Sequence, residues 1–189
     1  QVIAGFNITC IGDDRCYSYL PSRNGNTLSD KVALHVLKHT DPEFKRYTWL
    51  ERGSDERQYC APGVDLPIAT IMRSKYAEYP EYHTSLDDLN LVTPIGLEGG
   101  YLALKKAIEI IEKNIYPRNS VLGEPQLGRR GLYPTLSTKK SGVEVRTMMD
   151  FISYCDGTNS ILEISNICNI DFDESFKYYV NMKDNGLID

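Results

Sequence analysis

The chain has 189 residues, 41% hydrophobic and 25% charged, with a net charge of -5 and a pI of about 5.3. These are ordinary values for a globular chain, long enough to bury a core without disulfide staples. The acidic balance argues against nucleic acid or an anionic membrane as the main partner. No apolar run approaches the ~20 residues that span a bilayer.

The chain opens on Gln1 and runs straight into an apolar segment. No basic stretch precedes an apolar one, so no signal peptide is expected, and an opening inside a strand reads as a piece of a longer chain. Five cysteines are present, Cys10, Cys16, Cys60, Cys155 and Cys168, with no CxxC. An odd number without that spacing points to free thiols in a reducing cytoplasm, not to a disulfide framework or a thiolate zinc knuckle.

Val2 to Ile11 alternates Phe6, Ile8 and Cys10 against Asn7 and Thr9 and predicts a strand, closed by Gly12-Asp13-Asp14. Residues 21–26 are loop. Thr27 to His39 predicts a helix with Leu28, Val32, Val36 and Leu37 on one side. Tyr47 to Leu50 reads as a short strand. Residues 53–65 are loop, with Pro62-Gly63 as a turn signal. Leu66 to Met72 is a short strand of the buried, non-alternating kind found inside α/β sheets. Residues 76–92 are loop again. Thr93 as N-cap and Pro94 at the first helical position begin a long helix. Its stripe of Leu97, Tyr101, Leu104, Ile108, Ile111 and Ile115 is expected to face the core.

Residues 118–141 contain Pro125 and Pro134 and few periodic apolar positions, and read as a linker. Three short helices follow, over residues 143–155, 161–168 and 172–185, with Gly186 as the last cap. They suggest a helix-turn-helix or winged-helix module. The expected organisation is an α/β domain over 1–117, a linker over 118–141 and a helical module over 142–189.

In α/β folds, sites gather at the loops beyond strand C-termini. Three loops here are rich in functional groups. In the third, His83 follows a strand and Asp87 lies four residues on. A metal-bound imidazole needs an acceptor for its other ring nitrogen, which a nearby carboxylate supplies. A surface histidine with Asp87 or Asp88 capping a turn explains the same residues, and on spacing alone explains them better. Asp13 and Asp14, at the end of the first strand, can ligate a divalent cation or simply start a turn. In the second loop, Asp55 or Glu56 can serve as acid, base or ligand, and Arg57 or Arg73 can hold a substrate carboxylate. A solvated charged loop has the same composition. His35 and His39 have the i,i+4 spacing at which two imidazoles share a metal, but Val36 stands where a zinc protease helix carries Glu.

Taken together, the loops resemble a family. The segments that carry the resemblance are Gly12-Asp13-Asp14-Arg15, Tyr17 to Asn26, Gly53 to Gly63, Met72 to Tyr76, Tyr79 to Asp88, and Gly131-Leu132-Tyr133-Pro134-Thr135-Leu136-Ser137. They resemble bacterial and archaeal proteins with an aminopeptidase-like domain, often labelled polysaccharide-biosynthesis proteins. That family is similar to zinc exopeptidases of the bacterial leucyl aminopeptidase type.

The resemblance implies part of a zinc-peptidase-like mixed α/β sheet with flanking helices, followed by a small three-helix winged-helix-like domain. His83-Thr84-Ser85-Leu86-Asp87 matches the His-Thr-x-x-Asp motif that supplies the last zinc-binding imidazole, which implies His83 as ligand and Asp87 as the group that orients it. Asp13 or Asp14 stands near an earlier aspartate ligand, with Thr9 at the strictly aligned position. Ser54-Asp55-Glu56 replaces a Ser-Asp-His motif. Asp55, Arg57 and Tyr82 are expected to line the substrate pocket. The upstream His, the bridging Asp and the Glu pair containing the general base have no match, so the resemblance places them before Gln1 and implies that this chain alone is inactive. The implied substrate is a small peptide or another amide. A non-catalytic scaffold is the alternative.

Residues 130–189 carry six basic and nine acidic side chains, a net charge of -3. A DNA-reading winged helix presents a basic face. This module is therefore expected to contact protein rather than nucleic acid. An incomplete sheet would leave an exposed edge, which makes a homo-oligomer a further expectation.

Overall fold

A computed structural model of the chain describes residues 1–132 and 139–189, without the side chains of 139–141. The chain divides into two compact units, Gln1–Glu112 and Lys113–Asp189.

Unit 1 is built on a four-stranded sheet. Its strands are β1 (Gly5–Asn7), β2 (Ser18–Leu20), β3 (Lys45–Arg46) and β4 (Ile68–Met72), in the order β1-β4-β2-β3. β1 is parallel to β4, β4 antiparallel to β2, and β2 parallel to β3. β4 is an interior strand, paired on both sides. Its run Ile-Ala-Thr-Ile-Met is buried almost throughout, which is why it shows no polar alternation. The parallel β2–β3 pair requires a crossover, and α1 (Leu28–Thr40) supplies it.

Asp30 fixes the start of α1. Thr27 and Asp30 form a capping box. The Asp30 carboxylate is buried and accepts hydrogen bonds from the hydroxyls of Tyr19, Ser22 and Thr27 at 2.8, 2.6 and 2.6 Å. It also accepts from the backbone N–H groups of Ser22 and Thr27, both at 2.8 Å. Burial and this neighbouring carboxylate push the Tyr19 phenol well above its ordinary range.

The predicted strand over 2–11 is shorter than its pattern. Regular pairing covers Gly5–Asn7, and Cys10 at φ 47° has left extended geometry. The predicted strand over 47–50 is also displaced. Lys45–Arg46 pair with β2, whereas Trp49–Glu51 form a 3-10 turn. The Glu51 carboxylate accepts from Thr48 N at 2.7 Å and from Thr48 Oγ1 at 3.0 Å. That local bonding competes with the sheet ladder and wins.

α3 (Pro94–Lys113) starts where Thr93-Pro94 predicts, with Thr93 Oγ1 accepting from Gly96 N at 2.9 Å. Its orientation is a correction. The buried face is Gly96, Gly100, Ala103, Leu104, Ala107 and Ile110. Of the predicted stripe, Leu104 lies on that face, whereas Leu97, Tyr101 and Ile108 are exposed. Backbone contact sets this orientation. A Cβ at Gly96 would overlap Gly12 O, and one at Gly100 would sit 2.5 Å from Ile11 O. Only glycine allows a helix so close to a neighbouring backbone.

Unit 2 carries α4 (Lys139–Ser153), α5 (Ile161–Cys168) and α6 (Phe172–Asp184). A Ser160/Glu163 capping box opens α5, and Asn169 in the left-handed region closes it. Asp171 caps α6. Phe151, Ile152, Ile161, Ile164, Phe172 and Met182 form the buried centre. Residues 118–120, assigned to a linker by composition, belong to this unit. Asn119 N donates to Cys155 O, Ser120 N to Leu187 O and Asp189 N to Arg118 O, at 2.8, 2.9 and 2.9 Å. Bridges from Arg118 to Asp156 and from Asn119 to Ile188 make a small antiparallel ladder beside the helices. The linker residues 133–138, which include Tyr133 to Ser137 of the family-like motif, lie outside the described residues. All five cysteines are free. Among the described residues no helix is long and apolar enough to cross a membrane.

Asp30→Ala strands several buried donors and should cost about 3 kcal/mol in a urea titration. In unit 2, Asp156 accepts from Thr158 N and Oγ1 and from Asn159 N at 2.7, 2.8 and 3.1 Å. These bonds hold its carboxyl at about 2, below the ordinary 3.8. A depressed carboxyl contributes stability above its unfolded value, and that contribution is lost as pH falls toward the folded value. Unit 2 should therefore lose stability between pH 3.8 and about 2, and Asp156→Asn should flatten that part of a pH–stability curve.

Candidate functional site

Because β1 and β4 are parallel, their C-terminal ends emerge side by side. The chain beyond each end is clamped to the other. Arg73 N donates to Cys10 O at 2.8 Å, and Arg73 Nε donates to Asp13 O at 2.7 Å. Ser74 N and Ser74 Oγ donate to the Asp13 carboxylate at 2.9 and 2.7 Å, and Arg15 N adds a third bond at 3.1 Å. The buried Arg73 guanidinium stacks 3.8 Å over the Tyr17 ring.

The loop over 76–92 closes against this corner. Arg15 grips Glu81 through two bonds of 3.0 and 2.8 Å, and that pairing holds the Glu81 carboxyl below its ordinary range. Thr93 N donates to Gly12 O at 2.9 Å, and Thr93 Oγ1 donates to Asp14 at 3.1 Å. Within the loop, Tyr79 meets Tyr82 edge-on at 5.6 Å, and Tyr82 stacks on His83 at 3.9 Å and 16°.

Between these loops lies a cleft of about 310 Å³ whose walls include Cys10, Asp13, Tyr79, Tyr82, His83 and Asp87. Cys10 Sγ lies 3.7 Å from Tyr79 Oη. Burial and this contact push the Tyr79 hydroxyl above its ordinary range. Cys10 at φ 47° and His83 at φ 58° both occupy the left-handed region. That region is disfavoured for residues with a Cβ, and such strain collects at functional sites.

The cleft thus brings together Asp13, Tyr82, His83 and Asp87. His83 and Asp87 share its wall, with no hydrogen bond between their side chains. Asp14 is exposed and held by Thr93. Asp55 and Arg57 are exposed and do not line the cleft. Arg57 Nε donates to Ser54 O at 3.2 Å. The buried member of their loop is Glu56. It accepts from Asn7 Nδ2, Gly53 N, Ser54 N and Tyr76 Oη at 2.8, 2.8, 2.9 and 2.9 Å. Composition does not distinguish Glu56 from its charged neighbours. Its position at the first turn of α2 (Glu56–Tyr59), where a carboxylate can collect preceding amides, is the signal that marks it. On α1 the His35 and His39 rings are 4.6 Å apart, with His35 buried and His39 exposed.

These donors do not amount to a complete zinc site. The Asp13 carboxylate already serves three donors. Among the described residues no group of three or more His, Cys, Asp or Glu side chains is placed to hold a metal ion. His83 is the one imidazole on the cleft.

Residues 1–114 match the family model described as domain of unknown function, DUF4910. The chain belongs to this family. Beyond the DUF4910 part, residues 114–189 match a winged helix-turn-helix model, in agreement with the helices and small ladder of unit 2. A protein of Clostridium acetobutylicum is 34% identical over 170 residues, which cover 89% of this chain and 39% of the relative. It carries the provisional name polysaccharide biosynthesis protein with aminopeptidase-like domain. A crystal structure of a candidate peptidase from the same organism matches with a TM-score of 0.87 at 30% identity, over 99% of this chain and 42% of that one. The DUF4910 chain described here thus spans about two fifths of the relatives it matches.

The α3 glycines hold the Gly12–Asp13 wall of the cleft in place. Gly96→Ala should destabilise the DUF4910 unit by more than ~2 kcal/mol in thermal unfolding, since the methyl group meets backbone. Gly142 of α4 has open space around it. Gly142→Ala is the control and should be neutral or stabilising by ~0.5–1 kcal/mol.

Proposed function

We propose that this chain is the C-terminal portion of a peptidase-like hydrolase acting on a peptide or another amide, and that the cleft at the ends of β1 and β4 is one wall of its active site. The observation that carries the reading is the strained placement of His83 on that cleft, in a chain whose relatives include an aminopeptidase-like protein. His83 is the residue through which this chain would ligate zinc, and the remaining donors and the general base would come from outside the described residues. A zinc ion would supply Lewis acidity and an activated water. Tyr82, stacked on His83, limits the rotation of the imidazole, and Asp13 holds the loop that faces it.

For unit 2 we favour protein contact over nucleic acid. The exposed charges of α6 are Asp173, Glu174, Lys177, Lys183 and Asp184, three acidic against two basic. A helix entering a DNA groove needs the opposite balance.

The test is a chimera in which this chain replaces the matching portion of the clostridial relative. It should hydrolyse aminoacyl anilides and carry bound zinc by elemental analysis. His83→Ala should lower kcat/KM by at least ~100-fold and reduce the zinc. A folded, active chimera indifferent to His83→Ala would remove His83 from the site. A folded chimera with neither zinc nor hydrolysis would leave the scaffold reading in its place.

A further inference from the structure

The exposed Tyr101 and Ile108 of α3 do not stand alone, and the buried Leu104 forms the floor between them. Tyr101, Leu104 and Ile108 form a groove with Ile8 and Ile11, which flank and follow β1, and its lining is almost wholly apolar. Ile8 is 66% exposed, Tyr101 61% and Ile108 52%. These side chains are contiguous rather than scattered singly over the surface.

The groove adjoins a sheet edge. Among the described residues, β1 has β4 on one side and no strand on the other. Val2, Ile3 and Ile8, on either side of β1, are all exposed. A parallel pair such as β1 and β4 belongs in the interior of an α/β sheet, with neighbours on both edges and helices on both faces. An apolar, unblunted strand edge is otherwise an aggregation site, and proteins normally cover it or place charge there. The charges bordering this groove, Lys105 and Glu109, approach each other at 3.7 Å along the same helix.

We propose that the β1 edge and the Ile8–Tyr101–Ile108 groove seat a further β-strand and an apolar helix or strand face, contributed by polypeptide of the kind that makes up the rest of the longer relatives. The length difference supports this occupant, because the clostridial relative has more than half of its chain outside the match. The proposal does not depend on the peptidase reading, since packing can succeed where hydrolysis fails.

Hydrogen exchange and light scattering test it directly. The probe is the unmatched portion of the clostridial relative, added to this chain in trans. Alone, this chain should exchange its β1 amides rapidly, and the added polypeptide should slow them at least tenfold. The double variant Ile8→Glu/Ile108→Glu should lose that protection. Both positions are exposed, so the variant should keep the circular dichroism and melting temperature of the parent. If this chain alone is a discrete dimer with β1 already protected, a second copy is the occupant and the proposal is overturned. A monomer whose β1 exchange is unaffected by the probe overturns it as well.

Discussion

Two hydrogen bonds from Ser74 to the Asp13 carboxylate, with one from Arg73 to the Asp13 carbonyl, join the chain after β1 to the chain after β4, and Arg15 N adds a local third bond to the carboxylate. The rest of the cleft is arranged around that junction. It fixes Gly12, whose carbonyl receives Thr93 N and so sets where α3 begins. It fixes Arg15, whose grip on Glu81 holds the His83 loop across the gap. A buried carboxylate is tolerable only with its lone pairs satisfied, and here two of the three donors come from one serine. The junction is therefore both a structural necessity of unit 1 and the reason that its functional groups face one another.

Buried carboxylates recur as the organising device of this unit. Asp30 gathers the entry to α1, and Glu56 ties β1 to the 53–56 loop and Tyr76. Each replaces several water contacts by fixed donors, and together they define loop shapes that a small four-stranded sheet could not impose by packing alone.

Local signals in the sequence carried far. The Thr27 and Thr93-Pro94 helix starts, the continuous apolar run of β4 and the three C-terminal helices are all written in neighbouring residues, and the structure has them. The stretch from His83 to Asp87 stands out in the sequence as a five-residue motif, and the structure puts both of its end residues on the cleft wall. What local pattern hid was set by distant contacts. The facing of α3 depends on Gly12 and Ile11, more than eighty residues away from their glycine partners. Periodicity ranks positions by side-chain size, so it found Leu104 but missed the glycines and alanines that make most of the buried face. Glu56 looked like any charged loop residue because its partners, Asn7 and Tyr76, are 49 and 20 residues distant. Residues 118–120 look like linker because their ladder partners lie at 155–156 and 187–189.

Cys10 and His83 share an uncommon backbone state, and the state bears on the stability of the cleft. Glycine would occupy either position at lower cost, and asparagine at nearly so. A chain refined for stability alone would drift toward those residues. A thiol and an imidazole on the cleft lining are therefore held there at a conformational cost. The cleft is thus a place where replacements that firm up the fold would be the ones that remove its thiol and imidazole.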